Sequence, residues 1–132
     1  MIVEDNSADA HYLKHQLSGV ESISLVMTAD DGDVALDMLH KRRLDGDVFP
    51  TLIFLDLRMP RMGGFQFLNA FQRDFAGSGC RVVVVTGSAS DPDRLRSLEY
   101  ETVIDYVVKP VDQLAVRWIL RTERDRRADR SA

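Results

Sequence analysis

The sequence holds one cysteine, Cys80, which excludes an internal disulfide and any zinc site built from cysteines. A lone thiol fits a reducing compartment, so the expected location is the cytoplasm. Long apolar runs are missing: none approaches the ~18 residues of a membrane span, and no secretory leader opens the chain. Excess positive charge is missing too. The net charge is −4 with Lys and Arg spread along the chain, which argues against a nucleic-acid surface over most of it. No repeat, linker or second domain is visible. What is present is 132 residues, 45% hydrophobic and 29% charged, enough for one buried core and too apolar for disorder. Met1-Ile2-Val3 is already apolar, so the chain begins inside a strand, either a short one or one with residues ahead of it.

The apolar runs alternate with amphipathic ones. Met1 to Glu4 reads as a strand, and Asp5-Asn6-Ser7 offers N-cap side chains to a helix from Ala8 to Leu17 that Gly19 ends. Ile23 to Met27 alternates as a second strand, and Val34, Ala35, Met38 and Leu39 mark a second helix. Leu52 to Leu55 is apolar without interruption, which predicts a strand buried on both faces in the middle of a parallel sheet. A third helix carries Leu68, Phe71 and Phe75 on its apolar face, and Val82 to Thr86 is another doubly buried strand. Ser90-Asp91-Pro92 starts a fourth helix, Val103 to Val108 is the fifth strand, and a fifth helix begins near Asp112. In that helix Val111, Leu114, Ala115, Trp118 and Ile119 form the expected core stripe. Val116 and Leu120, beside Arg117, Arg121 and Arg124, then form a second strip that reads either as an ordinary solvated face or as a self-association surface. The charged end, Arg121 to Ala132, is expected to fray. Strand-helix alternation of this kind means βαβ units, hence an α/β fold with helices on both faces of a parallel sheet.

Parallel strands end on one rim, where ligands of open α/β sheets bind. The residues closing strands one, three, four and five are Glu4-Asp5, Asp56, Thr86 and Lys109. Carboxylates this close repel by roughly 4 kcal/mol per pair at a surface-like dielectric and need cationic company. Lys109 supplies one charge, and a hard divalent cation such as Mg²⁺ would supply the rest. Asp5 and Asp56 suit direct ligation, with Glu4 behind a water and a backbone carbonyl after Asp56 as a further ligand. Such a set is equipped for phosphoryl transfer to an Asp oxygen, with Lys109 opposing the charge and Thr86 bonding a phosphoryl oxygen. Taken singly, Lys109 reads as a surface lysine, Thr86 as an ordinary β-former and Glu4-Asp5 as a helix cap. Only their convergence argues for a site. His11 and His15, four apart with no third ligand, read as solvent-facing.

Val3-Glu4-Asp5-Asn6, Leu55-Asp56-Leu57-Arg58-Met59-Pro60 with Gly64, Val85-Thr86-Gly87 and Asp105-Tyr106-Val107-Val108-Lys109-Pro110 together resemble the receiver domain of bacterial two-component response regulators. The resemblance implies a flavodoxin-like (βα)5 three-layer sandwich with a five-stranded parallel sheet of order 2-1-3-4-5. It implies that Asp56 accepts a phosphoryl group from a histidine kinase or phosphotransfer protein. It also implies that Glu4, Asp5, Asp56 and the Arg58 carbonyl bind Mg²⁺, that Lys109 contacts the phosphoryl group, and that Thr86 and Tyr106 form a switch pair. A homodimer would use the face of helix four, strand five and helix five, and kinases would dock on helix one. Residues 1–124 would form the domain and 125–132 a charged tail. With no output domain after it, the chain reads as a stand-alone regulator of the type paired with phytochrome kinases. Thr102-Val103 replaces the family's usual Gly-Ala, which puts the end of helix four in question, and Gly63 replaces a usual Asp, which weakens the cap of helix three. The resemblance implies that Arg58 and Ser88, at positions that vary in the family, would tune the lifetime of the acyl phosphate. Two rivals stand beside this reading. A haloacid-dehalogenase-type phosphatase needs a second Asp where this chain has Arg58, and a receiver-like binding module would need none of the acidic pair, Thr86 or Lys109.

Overall fold

The computed structural model describes residues 1–87 and 89–131, so Ser88 lies outside the described residues. In chain order the elements are β1 (Ile2–Val3), α1 (Ser7–Ser18), β2 (Thr28–Ala29), α2 (Gly32–Asp45), β3 (Leu52–Asp56), α3 (Gly64–Phe75), β4 (Arg81–Thr86), α4 (Asp91–Leu98), β5 (Val103–Val108) and α5 (Gln113–Ser131). The strands form one sheet in the order β2-β1-β3-β4-β5, and every pairing is parallel. This is the flavodoxin-like three-layer arrangement the sequence implied.

Strand alternation divides the core in two. Val3, Ile53, Leu55, Val82 and Val84 face α2 and α3, while Ile2, Leu52, Phe54, Val83 and Val85 face α1 and α5. All five residues of β3 are buried, as their uninterrupted apolar run requires. Phe67, Phe71 and Phe75 of α3 are wholly buried and stack along the helix with centroid distances of 5.7 and 5.5 Å. Helix α2 ends on Gly46 at φ 70°, a left-handed stop that costs glycine nothing. Gln66 Oε1 accepts from Gly63 N at 3.0 Å, so α3 keeps one half of a capping box while its cap residue offers no side chain.

Three expectations need correction. The second strand is Thr28–Ala29, not Ile23 to Met27. β1 is two residues long and offers β2 only Ile2 and Val3 as partners, so the run before Thr28 crosses without pairing, apart from Ile2 N donating to Met27 O at 2.7 Å. On α5 the expected core stripe is only partly right: Ile119 and the half-buried Ala115 do pack inward, but so does Val116, which the sequence pattern puts on the outer strip. Val116 and Ile119 are buried and Leu120 is half-buried, whereas Leu114 is 79% and Trp118 60% exposed. Val111 is buried but precedes the helix, so counting the stripe from it set the phase wrong by about a residue. Finally, α5 continues through Ser131 instead of fraying after Arg121. Arg127 holds that extension. It donates to Thr51 O and Gly79 O at 3.1 and 2.6 Å and pairs with the buried Glu123 at 2.9 Å.

Helix α4 is eight residues long and buries only Ser97, leaving Leu95 and Leu98 exposed. It stops at Glu99 in right-handed geometry without a left-handed residue, and the hydroxyl of Thr102 behind it is buried with no hydrogen-bond partner.

Candidate functional site

The ends of β1, β3, β4 and β5 meet at one rim. Glu4 follows β1, Asp56 closes β3, Thr86 closes β4 and Lys109 follows β5. The register fixes their approach: Val3 lies beside Leu55, Thr86 beside Val108, and Lys109 N donates to Thr86 O at 2.7 Å. Glu4, Asp56 and Thr86 are each at least nine-tenths buried, and Asp5 is exposed.

Glu4, Asp5 and Asp56 each present an oxygen within 4.8 Å of the other two. The Lys109 ammonium lies 3.1 Å from both oxygens of Glu4, 2.8 Å from Asp9 Oδ2 and 3.8 Å from Asp56 Oδ2. Burial, and then the Asp56 charge, push the Glu4 carboxyl up to about 7 against the opposing pull of Lys109. Burial alone would lower the Lys109 ammonium, but its bonds to Asp9 and Glu4 and the Asp56 charge outweigh it and raise it. One ammonium thus answers four carboxylates. An all-oxygen donor set with this excess of negative charge fits a hard divalent cation held by Glu4, Asp5 and Asp56.

The loop after β3 is tied down from three sides. Arg58 N donates to Asp56 Oδ1 at 3.3 Å, and the Arg58 guanidinium reaches Asp93 in the first turn of α4 at 3.2 Å. Arg61, left-handed at φ 60°, pairs with the buried Asp31, the N-cap residue of α2. Gly64 opens α3 where a Cβ would come within 2.6 Å of the Leu57 backbone, so this close approach requires glycine. Tyr106 is half-buried on β5 beside Val84 and packs against the α2–α3 side of the core. His11 and His15 are exposed, as expected.

Sequence reasoning therefore named the four residues that converge with Asp5. It missed Asp9, Asp93 and Asp31. Asp9 and Asp93 sit in first helical turns, and Asp31 is an N-cap, where acids are common for reasons of helix dipole and capping. The Lys109–Asp9 pair lines a cavity of about 260 Å³ together with apolar groups of β1, α1, β3 and the loop before α5, including Ile2, Leu13, Phe54 and Val111.

Comparison with known proteins places this geometry. The probable methanogenesis regulatory protein FilR2 of Methanothrix harundinacea is 32% identical over 111 residues, covering 84% of this chain and 71% of that protein. Against the probable transcriptional regulator ycf27 of Guillardia theta and the transcriptional regulatory protein HptR of Staphylococcus aureus, the chain spans only 44% and 33% of the relatives' length. A two-component response regulator from Cytophaga hutchinsonii superposes with a TM-score of 0.86 at 17% identity, over 94% of both chains. The bacteriophytochrome response regulator AtBRR matches with a TM-score of 0.75 and 28% identity, over 91% of this chain and 87% of its own. The Mn²⁺-bound form of the response regulator Rcp1 matches at 0.69 and 26%, over 83% and 78%. The family description "response regulator receiver domain" fits residues 1–121, and with nearly the whole chain so matched, the protein belongs to the receiver domains of two-component response regulators.

Proposed function

We propose that this chain is a phosphorylation switch whose acceptor is Asp56. The observation that carries the reading is the burial of the Asp56 carboxylate beside Glu4 and Asp5, with the Lys109 ammonium 3.8 Å away. A phosphohistidine on a sensor histidine kinase or phosphotransfer protein is the donor. An Asp56 oxygen forms the new O–P bond while the P–N bond of the donor breaks and its imidazole keeps the electron pair. Lys109 opposes charge on the transferring oxygens. Mg²⁺ would be held by Glu4, Asp5, Asp56 and the Arg58 carbonyl, and when bound it neutralises the phosphoryl oxygens. The chain catalyses its own phosphorylation and dephosphorylation and turns over no separate substrate.

Phosphorylation adds about −1.5 to −2 charge and three acceptor oxygens at Asp56. The Thr86 hydroxyl moves to one of them, Tyr106 turns into the space released, and the face of α4, β5 and α5 changes shape. The loose packing of α4 and the exposed Leu95, Leu98, Val108, Leu114 and Trp118 support that face as the output surface. Output goes through a partner, a homodimer on this face, or phosphorelay. Residues 1–124 form the receiver unit, and 125–132 its charged extension. Likeness to AtBRR supports a phytochrome-type kinase as donor, and the lone buried Cys80 supports a cytoplasmic setting.

Acetyl phosphate with Mg²⁺ tests the reading. The expected result is a labile single-phosphoryl adduct, seen by intact mass, that Asp56→Asn abolishes. Turnover of many equivalents would favour the phosphatase, although Arg58 stands where that chemistry needs an acid. Absence of any adduct would favour an inert binding module.

A further inference from the structure

Among the described residues Lys109 is the one cation paired with Asp56, yet none of its hydrogen bonds goes to Asp56. Its Nζ lies 3.1 Å from both Glu4 oxygens and 2.8 Å from Asp9 Oδ2, while Asp56 Oδ2 at 3.8 Å is beyond hydrogen-bond range. An ammonium has three protons. To bond a phosphoryl oxygen on Asp56, Lys109 must release one of these partners. The two partners differ in what release costs. The Glu4 side chain is 5% exposed and would be left buried, whereas the Asp9 side chain is 46% exposed and regains water at once.

We infer that Asp9 is a positioning residue that holds Lys109 back from the acceptor and is exchanged for the phosphoryl group when Asp56 is modified. The inference rests on the reading of Asp56 as acceptor. Asp9 stands in the first turn of α1, where its own N–H is held by Asn6 Oδ1 at 3.0 Å, so the helix end is fixed while the carboxylate is free to let go. The Asp9–Lys109 pair also bridges α1 to the end of β5, and both residues line the 260 Å³ cavity together with Glu4 and Asp56. Exchange therefore frees a carboxylate on α1 at the moment the acceptor is filled. Asp9 sets how tightly a tetrahedral oxyanion is held at Asp56, and it does so through Lys109 without touching the oxyanion.

The test is titration with beryllofluoride, a phosphoryl analogue, at saturating Mg²⁺, read by ¹⁹F NMR. In Asp9→Asn, which keeps size and N-cap geometry, the half-saturating concentration falls about two- to fivefold, the worth of a half-exposed ion pair. Asp9→Glu restores the wild-type value. In a Lys109→Met background, Asp9→Asn changes nothing, an outcome that a merely structural role for Asp9 would not produce. Unchanged or weaker binding in Asp9→Asn overturns the exchange, and so does an equal effect with and without Lys109. A wild-type protein that takes up no beryllofluoride overturns the acceptor reading itself, a result distinct from the other two.

Discussion

Replacing Glu4 by Gln removes the group whose protonation is most strongly perturbed at the rim. In the folded protein burial and the Asp56 charge hold the Glu4 carboxyl at about 7, against 4.5 when the chain is unfolded. Between those values the folded state binds the extra proton, so wild-type stability falls as pH rises through the window. Glutamine has no proton to lose. The stability of Glu4→Gln relative to wild type is therefore lowest around pH 4.5 and grows in the variant's favour as pH rises past 7, by at most about 3.5 kcal/mol for a rise from 4.5 to about 7 at ~1.4 kcal/mol per pKa unit. Urea denaturation of both proteins at stepped pH in EDTA measures it, and taking the difference cancels every titrating group not in contact with Glu4. Adding Mg²⁺ to a hundredfold excess over its Kd above pH 7 should then restore about 2.7 kcal/mol to wild type and less to the variant. A difference that is flat with pH, or that grows as pH falls, would refute the account of Glu4 as a charge confined against Asp56.

Gly64→Ala should cost about 1–3 kcal/mol in denaturant unfolding, because the new methyl meets the Leu57 backbone at 2.6 Å, and it should also displace the loop carrying Arg58. Burial pushes the Cys80 thiol up to about 12 against the pull of the N-terminal ammonium, so a thiol reagent at neutral pH should leave it unmodified until the protein is unfolded. Arg127→Ala strips the buried Glu123 of its counter-charge and two carbonyls of their donor, for a loss of about 1–2 kcal/mol that Glu123→Gln should partly recover.

The parts of the fold that could be read from the residues are those whose pattern has one physical solution. Between their end residues β3 and β4 have no polar residue to turn outward, so they had to be central, and the aromatic face of α3 had to cover them. β2 misled because Leu25, 60% exposed, completes an alternation that no neighbouring strand uses. On α5 the exposed Leu114 and Trp118 imitate a core stripe, and only the position of the preceding loop decides which stripe turns inward. The chemical rim was legible because it depends only on where parallel strands end. The ion pairs around it, Asp9 with Lys109, Asp93 with Arg58 and Asp31 with Arg61, join different elements, and no spacing in the chain signals them.

The guanidinium of Arg127 fastens the backbone just ahead of both central strands, at Thr51 and Gly79. The far end of the sheet is in effect bolted at β3 and β4, while the thinly packed α4 and the half-covered edge of β5 are not held in this way. Under the proposed function, a bulky anion at Asp56 would then disturb that one flank, and the screw that keeps the disturbance from dissipating would sit at the opposite end from the chemistry.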